Sequence, residues 1–391
     1  MQQMQFDFRD MFRAPRLALS LQRIWIQFVG LIVAFAGYWV LTYLSFAVAG
    51  IGISTGWQKY GLLPCLMGEQ VNWISYVIFA VAVIWLLVVY LVTATAVSRA
   101  SYMLLKGNNF YTWREAFSFS VKKAISLILS PVSLVILVAF IAFGGAVVGW
   151  LGKIPYIGEF GITLFTPIWM IFSLLIVFMA IVVVVAAVLS PAILATTDDD
   201  AFEAVFQSFS LVWSQPWRLI FYQIINAVLA VFAFFVLAYL MKKSFIVMDR
   251  IFAATTGADY QNISAQAMYL ISVWVAYSIV WVEQLFGHFA PWIYFSREFV
   301  PLNLPVHQII AAHIFAVWML LVGGYVLSYG LASLNVGNTL GYLILRKKKD
   351  DENLLERKDR EEEEDDEEEN AAEGNKEDHS VAENAESGKN S

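Results

Sequence analysis

The only acidic cluster outside the C-terminal tail is Asp198, Asp199 and Asp200, followed by Glu203. Carboxylate oxygens are the ligands that hard cations prefer, and a cation bound there would suit hydrolysis of a lipid head group. Consecutive helical residues, however, point about 100° apart, so three adjacent aspartates cannot easily share one ion. Aspartate oxygens also cap helix N-termini, where the helix dipole favours negative charge. We therefore predict a helix start here and no metal ion.

Histidine and amide side chains in the apolar part of the chain offer little further chemistry. His307 and His313 are six residues apart, which places them on different faces of one helix and prevents shared ligation. We expect His313 to hydrogen-bond a nearby backbone group or a polar side chain such as Asn226; a proton or ligand role is the alternative. Gln223 and Asn226, three residues apart, predict hydrogen bonds between helices, worth about 0.6–2 kcal/mol.

Recognisable catalytic motifs are absent from the sequence. It contains no Walker-type glycine loop, no zinc-spaced cysteine and histidine cluster and no Gly-x-Ser-x-Gly elbow. The one cysteine, Cys65, cannot form an intrachain disulfide. The pairs Gly144-Gly145 and Gly323-Gly324 predict close helix packing rather than a ligand site. The sequence thus predicts no catalytic residue and no cofactor.

Six long apolar stretches must position these side chains. Each has about 20 or more residues, enough to cross ~30 Å of hydrocarbon as a helix. The chain is 59% hydrophobic and 15% charged, far from the values of about 45–50% and 25% in soluble domains. The prediction is an all-α polytopic membrane protein whose transmembrane domain covers residues 24–349. The predicted spans are 24–50, 73–97, 124–150, 163–195, 219–241 and 306–334.

Positive charges set the predicted orientation. Fourteen lysine or arginine residues lie on one side of the membrane and six on the other. The fourteen are four before the first span, five in 98–123, Arg218 and four in 346–349. The positive-inside rule then places both termini in the cytoplasm, and a bacterial cytoplasmic membrane fits. Residues 269–286 are nearly long enough to cross, but a seventh span would reverse this asymmetry. We predict that they lie in or dip into the outer leaflet.

The two ends of the chain differ from the apolar body. Residues 1–23 predict a cytoplasmic segment at the membrane interface. Residues 350–391 hold nineteen acids and five bases, a net charge of −14, which leaves +7 on residues 1–349. Such a tail cannot bury enough apolar surface to fold, so it should be disordered. It can dock a basic cytoplasmic protein or simply solubilise the terminus, and its sign disfavours nucleic acid.

Two connectors on the cytoplasmic side have similar patterns. Thr112 to Glu115 is a capping box, which predicts a short helix. A second short helix should follow Asp200, because apolar residues recur there at helical spacing. The two predict a span, interfacial helix, span unit used twice, over 73–150 and 163–241; independent convergence is the alternative. The predicted interfacial anchors are Trp113, Phe117, Phe206, Phe209, Trp213 and Trp217.

Most of residues 1–349 resembles a group of uncharacterised bacterial polytopic membrane proteins from planctomycete-like lineages. One segment begins with acidic residues, continues with Phe-Glu-Ala in a helix and ends in Pro216-Trp217-Arg218. This segment is more distantly similar to the membrane domain of some glycerophosphodiester phosphodiesterases. The resemblance implies a fold and a compartment, and it marks Trp217 and Arg218 as candidate functional residues. The catalytic domain of those phosphodiesterases has no counterpart in this sequence. The residues that carry the resemblance are 154–158, 190–204, 213–218 and 342–346.

Three functions fit this sequence. The first, which we expect, is an integral membrane scaffold or accessory protein whose surface helices interact with membrane lipids and which has no catalytic activity. The second is a transporter or lipid-handling component with a path between the two repeated units. The third is a lipid head-group enzyme that uses Asp198 to Asp200 and Glu203. Coupled ion transport is disfavoured, because the spans carry few titratable groups at depth.

Overall fold

The protein is an all-α membrane protein. A computed structural model describes residues 4–67, 71–276, 283–284, 287–289, 291 and 299–357. These residues contain no β-strand. The helices are α1 (Phe8–Met11), α2 (Ala14–Ala18), α3 (Leu21–Ala49), α4 (Ile53–Tyr60), α5 (Trp73–Lys106), α6 (Trp113–Lys122), α7 (Ala124–Leu151), α8 (Ile157–Leu164), α9 (Thr166–Thr197), α10 (Ala201–Ser214), α11 (Pro216–Thr256), α12 (Ala258–Trp274) and α13 (Val306–Asp350), with a 3₁₀ turn at Gly287–Phe289.

Six helices in the described part of the chain are long and apolar enough to cross a membrane, which confirms the predicted number of spans. They are α3, α5, α7, α9, α11 and α13. Two run well past their predicted ends: α11 continues from 241 to Thr256 and α13 from 334 to Asp350. Lysine is a good helix former, so the lysines after each apolar stretch do not end the helix. Each helix ends instead at a residue with a positive φ angle, α11 at Gly257 with +75° and α13 at Asp351 with +56°.

Short helices join the spans as the sequence predicts. The Thr112 side chain accepts from the Glu115 amide while the Glu115 carboxylate accepts from the Thr112 amide, so the predicted capping box is present at α6. Helix α10 begins after Asp200, and α6 and α10 each lie between two spans. Phe206, Trp213 and Trp217 are exposed, as interfacial anchors would be. Their contact with lipid stays a prediction.

The main core lies at one end of the bundle, called the basic end because Arg99, Lys123 and Arg346 lie there. The buried residues of α7 stop at Leu134, and those of α9 begin only at Met179. The rest of these two helices exposes large apolar side chains such as Phe140 and Met170. A surface of this kind is stable only when lipid covers it. Most tertiary packing therefore occurs near the basic end.

The two terminal segments both pack partly against the bundle. Within residues 1–23, Met11, Ala14 and Ala18 are fully buried in the main core, whereas Phe8 and Phe12 are exposed, so the position of this segment at the membrane interface stays a prediction. The predicted disordered tail begins too early at residue 350. Leu354 and Leu355 are buried in the same core, because two consecutive leucines supply apolar surface within the acidic sequence. We call residues 351–357 the C-terminal strap.

Two predictions fall partly outside the described residues. The segment 269–286 begins within α12, which ends at Trp274, but 277–282 and 285–286 lie outside the described residues. The acidic run 361–369 lies outside them as well. Their placement stays a prediction.

Candidate functional site

A charged cluster holds the C-terminal strap against the basic end. Arg346 donates to Glu352 at 2.8 Å and to Gln207 at 2.6 Å, and its Nη1 lies 2.7 Å from Asp350. Gln207 in turn donates to Glu203. Arginine suits this role because its planar guanidinium group presents several fixed donors. The cluster therefore joins α10, α13 and the strap.

Hydrogen bonds to the strap backbone add to this attachment. The hydroxyl group of Tyr102 donates to the Leu354 carbonyl oxygen at 2.8 Å, and Lys106 donates to that of Arg357 at 2.9 Å. At the start of the strap, the Lys347 ammonium group hydrogen-bonds Asp351 and lowers the pKa of that carboxyl group. The strap thus covers the end of the bundle where α5, α10 and α13 meet.

The three aspartates have three separate roles. Asp198 is the C-cap of α9, and its carboxylate accepts from Lys123 at 2.9 Å. Asp199 lies 3.6 Å from Arg357 of the strap. The predicted helix start is present directly after the triplet, but Asp200 at the N-cap position of α10 makes no side-chain capping bond, so the predicted capping by aspartate oxygens is wrong there. Among the described residues, no group of three or more histidine, cysteine, aspartate or glutamate side chains can hold a metal ion.

Polar side chains inside the bundle pair with each other. Asn335 on α13 donates to Gln27 at 2.9 Å and lies 3.4 Å from the Tyr90 hydroxyl group. Asn338 lies one helical turn farther along α13. Asn226 on α11 donates to Asn338 at 2.8 Å and to the Leu334 carbonyl oxygen at 2.9 Å. These bonds tie α3, α5 and α11 to α13. Buried amides stabilise helix contacts in this way when each finds a partner.

The remaining predicted residues do not form one site. His313 contacts the Ile309 carbonyl oxygen at 2.8 Å within its own helix and is exposed, so its predicted backbone partner is present and Asn226 is not that partner. Gln223 is half-buried, and no hydrogen bond between described residues joins it to Asn226. The predicted hydrogen bonds between helices are therefore present for Asn226, which donates across to α13. Trp217 and Arg218 are exposed.

A large cleft lies between α3, α5 and α13, and we call it the α3 cleft. It has a volume of about 620 Å³. Gln27, Tyr90 and Thr93 lie toward the basic end of its wall, whereas the rest is almost entirely apolar. Leu86 and Leu321 line the cleft and are each more than a third exposed, so it opens to the outer surface of the bundle. Along α3 the cleft extends over Gln27 to Tyr38, about 16 Å at 1.5 Å per residue.

A second cleft lies on the other side of α13, and we call it the α12 cleft. It has a volume of about 420 Å³ between α11, α12 and α13. Its wall is apolar except for Lys242 and Ser272. Gly323 faces open space here, so the predicted close packing at Gly323 is wrong; the same holds for Gly144 and Gly145. The clefts flank α13 and do not lie between the two repeated units.

Protein-family models, curated proteins and solved structures were compared with the chain, and none matches it.

Sequence reasoning missed both the clefts and the cross-helix partners. Gln27, Asn335 and Asn338 are polar residues in or directly after predicted spans, which was a usable signal. Their partners lie more than a hundred positions away in the chain, as for Asn226 and Asn338. The clefts gave no such signal, because apolar residues that line a cleft look the same in sequence as those that face lipid.

Proposed function

We propose that this protein is a non-catalytic integral membrane protein that binds a membrane lipid, with an acyl chain held in the α3 cleft. The observation that carries the proposal is the combination of size and apolar lining in that cleft. A volume of about 620 Å³ lies within the range of about 300–1,000 Å³ typical of ligand sites. The proposal assigns a binding role and no reaction.

Two other occupants fit less well than an acyl chain. Water in a protein interior needs two to four polar partners, and most of this wall offers none. An empty cleft would leave its apolar wall without the dispersion contacts that a bound chain makes. A lipid chain makes dispersion contacts with the wall and is the apolar molecule at hand.

The tightly packed basic end supports binding rather than passage. Arg99, Tyr102 and Tyr342 are among the largest fully buried side chains, and all three lie at that end. The strap adds a further layer over it through Leu354. A lipid in the α3 cleft would therefore enter sideways from the bilayer between Leu86 and Leu321, not through the basic end.

We also propose that the basic end of the bundle faces the cytoplasm. The basic end holds α6, α10 and the Arg346 to Lys349 cluster, and the positive-inside rule assigns such an end to the cytoplasm. Both termini would then be cytoplasmic in a bacterial cell membrane. The acidic residues after 357 would then be cytoplasmic as well, and a basic protein is their proposed partner.

Filling the α3 cleft should abolish lipid binding there. We expect Leu31→Trp, which puts an indole ring into the cleft from α3, to reduce the phospholipid that remains bound in native mass spectrometry by at least one molecule per chain. Dispersion contacts with an acyl chain are lost because the indole takes its place. The measurement counts lipid adducts on protein extracted from membranes into detergent.

A matched control is Leu137→Trp, because Leu137 is exposed on α7 and lines neither cleft. It should leave the count unchanged. Leu321→Trp fills the cleft from α13 and should repeat the loss even if Leu31→Trp folds poorly. Equal lipid counts for Leu321→Trp, Leu137→Trp and the unchanged protein would refute the proposal.

A further inference from the structure

The two clefts on either side of α13 share part of their walls. Leu320, Gly324 and Leu327 line both of them, and their i, i+4, i+7 spacing places them on one face of α13. Val275, directly after α12, also lines both. The α3 cleft and the α12 cleft therefore meet along this face of α13, one on each side of it.

A positive charge lies at the end of the α12 cleft away from the basic end. Lys242 follows the apolar stretch of α11 directly, and its side chain lines the cleft. Its ammonium group donates to the Pro291 carbonyl oxygen at 2.7 Å, which holds it at this rim. An ammonium group has three donors, so a lysine that already contacts the protein can also bind a phosphate group. A lysine ammonium group forms charge-assisted hydrogen bonds with phosphate, the charged group of an anionic lipid head.

From these two observations we infer that the ligand is a two-chain anionic phospholipid that straddles the shared face of α13. One acyl chain occupies the α3 cleft, the second occupies the α12 cleft, and the phosphate group of the head binds Lys242. The lipid comes from the leaflet opposite the basic end. This inference rests on the proposed function and adds the class of lipid and the position of its head group.

Two adjacent glycines on α13 lie beside the two clefts and differ in their surroundings. A Cβ on Gly323 would meet nothing within 4 Å, whereas a Cβ on Gly324 would lie 3.3 Å from the Phe28 ring of α3. Gly323 therefore leaves the α12 cleft open, and Gly324 lets α3 approach α13 beside the α3 cleft. A larger residue at 323 would take up the space of the second chain without meeting a neighbouring helix.

The charge is tested by a pair of substitutions one residue apart. Lys242 lines the α12 cleft, whereas Lys243 is exposed, does not line the cleft and lies over the Tyr239 ring at 5.3 Å. Lys242→Gln and Lys243→Gln remove the same charge at nearly the same depth. Native mass spectrometry of the full chain, titrated with phosphatidylglycerol or with phosphatidylethanolamine, measures both affinities.

We expect the unchanged protein to bind phosphatidylglycerol about tenfold more tightly than phosphatidylethanolamine. Lys242→Gln should remove that preference and Lys243→Gln should keep it. An equal loss in both variants would mean that general surface charge attracts the lipid, and it would overturn the inference. No preference in the unchanged protein would overturn it as well.

The second chain is tested with lysophosphatidylglycerol, which has one acyl chain. Gly323→Leu should weaken binding of two-chain phosphatidylglycerol about tenfold and leave the one-chain lipid unaffected. Gly144→Leu is the matched control, because Gly144 also meets open space but lies on α7. If Gly323→Leu changes neither lipid while Leu321→Trp still removes one, the lipid site stands and the two-chain inference fails. If Leu321→Trp has no effect, the proposed function fails first.

Discussion

Gly337→Val should destabilise the protein by about 1–3 kcal/mol, the usual cost of overpacking a close contact. A Cβ at this position would overlap the side-chain oxygen of Asn226 on α11. Asn226 cannot simply turn away, because it donates to Asn338 and to the Leu334 carbonyl oxygen. The valine side chain therefore pushes α11 away from α13 or breaks both hydrogen bonds. Unfolding of the detergent-solubilised protein, followed by loss of helical circular dichroism, measures the change.

Two further variants locate the cause of this effect. Gly144→Val adds the same side chain on α7 where nothing lies within reach, so it should have little effect. In an Asn226→Ala background the overlap is gone, and Gly337→Val should cost much less than it does alone. If the cost is the same in both backgrounds, contact with Asn226 is not the reason that residue 337 is glycine.

Leu354→Asp should release the C-terminal strap. Leu354 is 1% exposed, and burial of a leucine contributes about 1.5–3 kcal/mol. An unpaired carboxylate cannot take its place in the core, so the strap should detach rather than bury the charge. Each 1.4 kcal/mol corresponds to a factor of ten in population, so amide hydrogen exchange in residues 351–357 should accelerate about 10- to 100-fold.

Asn353→Asp is the matched control for the strap. It adds the same charge one residue away, at a position that is only half-buried. Exchange in 351–357 should accelerate less in this variant than in Leu354→Asp, because it loses only the hydrogen bond from Asn353 to Glu356 and keeps the leucine side chain in the core. The Arg346 contacts to Glu352 should persist. Unchanged exchange in Leu354→Asp would show that the leucine side chain does not hold the strap in place.

The spans and the short connecting helices could be predicted from sequence because they follow from local chemistry. Stretches of apolar residues set the six spans, and the Thr112 and Glu115 capping box depends on residues three apart. The helix ends were less predictable. Lysines after 241 and asparagines after 334 looked like the end of a span, yet the helices continue because no residue there breaks them.

The tertiary arrangement could not be predicted, since it depends on which faces of the helices meet. Gly337 and Gly30 mark tight helix contacts, whereas Gly144 and Gly323 face open space, and the sequence around them does not distinguish the two cases. The acidic triplet likewise suggested one site, but Asp198 binds Lys123 while Asp199 lies near Arg357. The predicted resemblance to planctomycete-like proteins and to phosphodiesterase membrane domains stays a prediction.

A density map of the protein in lipid nanodiscs shows what occupies the α3 cleft. We expect a continuous rod of density along α3 from Tyr38 to Gln27, between Leu86 and Leu321, that disappears in Leu321→Trp. If α3 and α13 instead close on each other in the unchanged protein, or if the cleft contains only separate water-sized peaks, the protein does not bind lipid at this site.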